Sequence, residues 1–204
     1  ITEFNMTELT LSEGMYLGKG KHKRVYLLST DQTKCVKVVF NKNSLDLKRE
    51  FAFRKILEKK NLHSTIIPEY YGEVKTNLGN GYVFELITDY DNAISYNLKQ
   101  FCYRTEPALV KSVLKEFKKV YFREKIILSD IDPTNLLVQQ YEKDKYRIRI
   151  IDNIGSPVII PLEYYFESIH NKKVTKYWYK LLKWIVAESE SFTDMVKDEN
   201  GDWI

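Results

Sequence analysis

The hydrophobic period changes once along this 204-residue chain, at Asp89-Tyr90-Asp91-Asn92, and that change limits the possible folds more than any single motif. Strand side chains alternate between two faces, whereas helical ones return every 3.6 residues. Before the change, Met15-Tyr16-Leu17, Val25-Tyr26-Leu27-Leu28, residues 35–40 and residues 82–87 read as strands. Residues 30–33 read as a polar turn and residues 77–81 as a hairpin turn, with Pro68 and Gly72 punctuating the stretch before it. One helix interrupts this half, capped by either Asn43 or Ser44 and marked by Leu47, Phe51 and Ile56-Leu57. After the change, Leu109, Val110, Val113, Leu114, Phe117, Val120 and Tyr121 form one amphipathic stripe. Val174, Trp178, Leu181, Leu182 and Ile185 form a second, read as core. Leu136-Leu137-Val138 and the alternating Tyr146, Ile148 and Ile150 add strands. The pattern predicts an α+β chain in two lobes. Residues 6–88 make a β-rich lobe, an antiparallel sheet plus one helix, and residues 89–204 a mainly helical one.

Composition supports a folded chain. With 44% apolar residues there is enough to bury a core, and 29% charged residues without low-complexity tracts argue against disorder. The formal charge of +4 is spread along the chain and tolerates an anionic partner without demanding nucleic acid. Cys35 and Cys102 lack metal-ligand spacing and read as reduced thiols. No stretch approaches the roughly 18 apolar residues of a membrane span, and no signal peptide is evident. Residues 1–5, before Met6, read as a non-native remnant. The cytoplasm is the expected location.

Four places carry residues suited to chemistry on a phosphate. Gly18-Lys19-Gly20-Lys21-His22-Lys23-Arg24-Val25 pairs glycines, which let backbone approach phosphates, with a basic run; as a lone motif it is also an ordinary hairpin. Lys37, within Cys35-Val36-Lys37-Val38-Val39-Phe40, shares a strand face with Cys35 and Val39. A lysine on such a face needs a buried partner or an anion. Glu50 on the following helix is the natural carboxylate, with a surface pair to Arg54 four residues on as its other reading.

The third place is Ser129-Asp130-Ile131-Asp132-Pro133-Thr134-Asn135, with Asn135 five residues after Asp130. The fourth is Asp152-Asn153-Ile154-Gly155, seventeen residues after Asn135, where Asp152 alone is also a turn initiator. In this order and spacing the segments match a protein-kinase active site. There a lysine contacts the nucleotide phosphates, an aspartate orients and deprotonates the acceptor hydroxyl, and an asparagine and an aspartate bind magnesium. Lys37, Asp130, Asn135 and Asp152 take those roles here, Gly18, Gly20 and Val25 line the phosphate loop, and residues 85–88, with Glu85 and Ile87, meet the adenine. Lys23 stands at the third glycine, Leu128-Ser129 at the usual His-Arg, and Asp132 at the loop lysine. Asp132 reads as a second metal-side or acceptor-side carboxylate, or as a cap on the Pro-Thr turn.

Leu9-Thr10-Leu11-Ser12-Glu13, Leu17-Gly18-Lys19-Gly20-Lys21-His22-Lys23, Cys35-Val36-Lys37-Val38-Val39, and Asp152-Asn153-Ile154-Gly155 through Ile160-Pro161-Leu162 resemble the YrbL family. These are small bacterial proteins linked by name to the PhoP regulatory network. The resemblance runs from Met6 to about Ile185, and its most specific part is the stretch from Asp152 to Leu162. It implies a minimal bilobal protein-kinase-like fold with a truncated second lobe, and with it ATP and magnesium (Mg2+). Little chain follows Gly155 and no Ala-Pro-Glu anchor occurs, so the expected acceptor is a small molecule or glycolipid rather than an extended peptide. A non-catalytic nucleotide-binding or regulatory module and a nucleotidyl transferase are the rival readings. Nucleic-acid binding through Lys172, Lys173, Lys176, Lys180 and Lys183 is set aside, since these read as the wet face of the last helix.

Overall fold

The computed structural model describes residues 8–20, 22–40, 45–158 and 160–204. Lys21, the two helix-cap candidates Asn43 and Ser44, and the proposed remnant with Met6 lie outside the described residues. In chain order the elements are β1 (Tyr16–Lys19), β2 (Lys23–Leu27), β3 (Lys34–Val39), α1 (Leu45–Lys59), β4 (Tyr70–Thr76), β5 (Gly79–Glu85), β6 (Tyr96–Asn97), α2 (Leu98–Arg104), α3 (Pro107–Glu124), β7 (Leu136–Glu142), β8 (Lys145–Ile150), α4 (Glu167–Glu188) and α5 (Thr193–Val196). This is a mixed α+β architecture with antiparallel sheets and, among the described residues, five α-helices. Contacts divide it into two units, Ile1–Leu45 with Pro68–Ile87 and Asp46–Ile67 with Thr88–Ile204.

The first unit is one antiparallel sheet in the order β1-β2-β3-β5-β4. Alternation along β3 sends Val36 and Val38 to one face, where they join Leu11 and Tyr26 in a small core against Leu9, Met15 and Val74. The expected turn over residues 77–81 is tighter in the structure. Thr76 pairs with Gly79, so the turn is Asn77-Leu78 and Gly81 lies inside β5. A Cβ on Gly81 would stand 2.6 Å from Val36 Cγ1, and the close approach of β5 to this core therefore requires a glycine. β4 went unrecognised because Gly72, at φ 124, sits where the register shifts and interrupts its alternation.

The second unit holds the β6-β7-β8 sheet and the helices. The sequence pattern attached α1 to the first lobe, but by contacts it groups with this unit, because Phe53 and Leu57 join its core. α2 was also missed. It starts with a capping box, Asn97 accepting from the Gln100 N–H at 2.9 Å while Gln100 accepts from the Asn97 N–H at 3.1 Å. The stripe on α4 is core as expected, with Val174, Trp178, Leu181, Leu182 and Ile185 all buried. Cys35 and Cys102 are free, buried thiols, and burial pushes Cys102 up to about 12. Among the described residues no helix is long and apolar enough to cross a membrane.

Candidate active site

Strand register in the first unit lines up three of the predicted residues. Gly18 pairs with Val25, Val25 with Lys37, and Lys37 with Tyr82, so one cross-strand row crosses β1, β2, β3 and β5. Directly opposed residues share a sheet face, and in this row it is the face opposite Val36 and Val38. Lys37 is 5% exposed, with its ammonium 4.0 Å from the centroid of the Phe84 ring, a cation–π contact. Cys35, two residues earlier, donates its thiol to the Glu85 carbonyl at 3.8 Å. Burial raises that thiol's pKa, while the Lys37 charge opposes the rise.

The glycine loop is undemanding. The Gly20 N–H donates to the Lys23 carbonyl at 2.8 Å, and a Cβ on Gly18 would meet nothing within 4 Å. Neither glycine needs a positive φ. At the end of β5, the Glu85 N–H donates to Glu69 and the Leu86 N–H to Thr33, while the Glu85 carboxylate accepts from the Glu69 N–H at 3.1 Å. Ile87 follows, buried at 2% exposure.

In the second unit, the pairing of β7 with β8 sets the geometry. Leu136 lies opposite Ile150, and the Ile151 N–H donates to the Asn135 carbonyl at 3.0 Å. Asn135, just before β7, and Asp152, just after β8, therefore leave one edge of the same hairpin. The Asp130 loop is stitched to the segment after Asp152. Leu128 bridges Ile154, the Ser129 N–H donates to the Asn153 carbonyl at 2.8 Å, and the Gly155 N–H donates to the Ile127 carbonyl at 2.8 Å. The segment holding Asp130 and Asn135 and the segment holding Asp152 are thus joined within one unit.

Each carboxylate also does local work. Asp152 Oδ1 accepts from the Asn153 N–H at 2.9 Å, which suits the left-handed φ of 61 at Asn153. Asp132 Oδ1 accepts from both the N–H and the hydroxyl of Thr134 at 2.8 Å, so the capping role is the one the structure displays. Asp130 Oδ1 accepts from the Ile131 N–H at 2.8 Å and pairs with the Lys180 ammonium of α4. Glu50, 2% exposed on α1, takes Arg54 through Nε at 3.0 Å and Nη2 at 2.7 Å, a pair that is half-buried rather than superficial.

Gly155 closes the Asp152-Asn153-Ile154-Gly155 segment under two separate constraints. Its φ is 100, and a Cβ there would fall 2.4 Å from the Arg49 carbonyl oxygen of α1. Beyond it, the Ser156 hydroxyl donates to Glu163 Oε1 at 2.6 Å and its N–H to the Tyr164 hydroxyl at 2.8 Å. Lys173 pairs with the same Glu163 carboxylate. Burial alone would raise the Glu163 pKa, but the hydrogen bonds from Lys173 and Ser156 hold it below the usual range. Ser156 and Glu163 are thus tied to each other and to α4.

The donor set fits a hard cation. Asn135 and Asp152 supply an amide and a carboxylate oxygen, and the Asn135 side chain makes no hydrogen bond among the described residues. No group of three or more His, Cys, Asp or Glu residues able to hold a metal occurs among the described residues, and a magnesium ion completing its shell with waters and phosphates needs none. Sequence reasoning missed the Lys180 and Lys173 contacts. It had both as wet-face lysines, and nothing local marks a partner so distant in sequence.

A family model described as "PhoP regulatory network protein YrbL" matches residues 9–185. The chain is 27% identical over 181 residues to "Uncharacterized protein YrbL" of Escherichia coli K12, covering 85% of this chain and 86% of that protein. The protein of the same description from Shigella flexneri matches to the same extent.

Proposed function

The chain belongs to the family described as PhoP regulatory network protein YrbL, and we propose that it is a kinase-like phosphotransferase using ATP and magnesium on a hydroxyl acceptor. The observation that carries this reading is the β7-β8 register, which brings Asn135 and Asp152 to one hairpin edge with the Asp130 loop stitched beside them. A coincidence of turn residues has no reason to produce that convergence. The Gly18-Val25-Lys37 row supports it from the first unit.

Asn135 and Asp152 would hold a magnesium ion, which would neutralise phosphate charge when bound. Lys37 binds phosphate oxygens with its ammonium, and Gly18 leaves room for phosphate beside β1. Asp130 orients the acceptor hydroxyl and takes its proton. The acceptor oxygen then bonds the γ-phosphorus while the bond to the β-phosphate oxygen breaks, and its electron pair leaves with ADP. The acceptor is a small molecule or glycolipid rather than an extended peptide, a reading supported by Ser156, which is bonded to Glu163, and by Glu163, which is paired with Lys173 of α4.

The rival of a non-catalytic nucleotide-binding module draws on Leu128, which is buried at 1% exposure where kinases carry a polar loop residue. Magnesium-dependent ATP turnover by the purified protein, abolished in Asp152→Ala, is the expected result. Turnover unchanged in that variant overturns the assignment, and calorimetric ATP binding without any turnover favours the rival. Mass spectrometry of the products distinguishes added phosphate from added AMP.

A further inference from the structure

α4 was expected to turn a row of lysines to water, yet it delivers one of them to the proposed base. Tyr177 donates its hydroxyl to the Ser129 carbonyl at 2.8 Å, fastening the helix to the Asp130 loop, and Lys180 lies one turn further on the same side. The helix cannot drift there, since Trp178 donates to the Ile204 carbonyl at 2.9 Å and Leu181 and Leu182 are fully buried. Lys180 reaches Asp130 Oδ1, the oxygen that already accepts the Ile131 N–H. Oδ2 accepts no hydrogen bond among the described residues. The position two residues after the base, where a kinase loop carries its own lysine, is Asp132, whose carboxylate is turned back onto Thr134. The loop therefore has no cation of its own at that place, and α4 provides one.

We propose that Lys180 is the positioning residue for Asp130: its ammonium holds Oδ1 and leaves Oδ2 directed to the hydroxyl of the acceptor. The inference rests on the phosphotransferase reading above. Two hydrogen bonds on one oxygen fix the carboxylate's rotation, and a base displaced by about 1 Å loses on the order of a hundredfold in rate. An exposed ion pair contributes little to folding, and at 48% and 52% exposure of the two side chains this pair leaves the fold intact when broken.

The test is magnesium-dependent ATP turnover with water as acceptor, measured on the full chain and three variants. Lys180→Ala is expected to lower kcat roughly tenfold with KM for ATP unchanged, because the residue acts on the base and not on nucleotide binding. Lys180→Arg restores most of the rate by supplying a cation to the same oxygen. Lys183→Ala, on the exposed side of α4, leaves it unchanged. A Lys180→Ala kcat within about twofold of the parent overturns the positioning role alone. A rise in KM with kcat unchanged also overturns it, placing Lys180 in nucleotide binding. If the parent protein shows no magnesium-dependent turnover, the phosphotransferase reading fails and this role fails with it.

Discussion

Gly18, in the first unit, and Gly155, in the second, each belong to a segment singled out by the sequence, yet the protein treats them in opposite ways. Gly155 is demanded by the fold: its φ is left-handed, and the Arg49 carbonyl of α1 occupies the space a side chain needs. Gly18 is demanded by nothing in its surroundings, since a Cβ would meet no atom within 4 Å and its φ suits any residue. Gly155 is thus a structural necessity, while Gly18 is free of any packing demand and serves either the proposed phosphate loop or a plain hairpin.

The largest expected effect is on the structural side. Gly155→Ala adds a left-handed residue and a backbone clash, and urea unfolding is expected to show a loss of about 3 kcal/mol. A loss below about 1 kcal/mol would mean that α1 yields easily at Arg49, and the contrast would collapse. An intermediate effect concerns His170, which packs beside the same tethered segment and donates Nδ1–H to the Glu163 carbonyl at 3.3 Å. Burial pushes its pKa below the ordinary 6.5, the bond to Glu163 opposing and the charges of Lys125 and Lys60 assisting. A depressed folded-state pKa means that the unfolded chain takes up the proton first. Stability is therefore full above the ordinary value and falls as pH drops through and below it. The melting temperature should decline on acidification through this range, and His170→Phe should flatten that decline; a parallel curve in the variant would assign the pH dependence elsewhere. The smallest structural effect belongs to Gly18→Ala, expected to change stability by no more than about 0.5 kcal/mol while raising KM for ATP. A variant with unaltered KM would leave Gly18 as a plain hairpin residue.

Legibility in the sequence followed the length of the repeating signal. β3 and the stripe of α4 were readable because several residues repeat at one period, and their faces are buried accordingly. β4 was not, because Gly72 introduces a register shift that breaks the alternation. α2 carried a readable sign, Asn97 with Gln100 three residues later, but its seven residues are too few to show a stripe. Spacing alone proposes Asp130, Asn135 and Asp152 as site residues. The sequence offers Asp132 three roles, and the Thr134 contacts display the cap. The sequence offers Glu50 either Lys37 or Arg54; the structure shows the Arg54 contact, with the Glu50 carboxylate itself buried.

Sequence alone determined the alternation of strands, the amphipathic helices and the order of the chemically competent residues, because those depend on neighbours a few positions apart. Tertiary structure decided which glycine is compulsory, which carboxylate is a cap, and that Lys180, 50 residues from Asp130, meets it. Such contacts arise from where whole elements pack, and a helix stripe specifies which face is buried without specifying what its polar edge will touch.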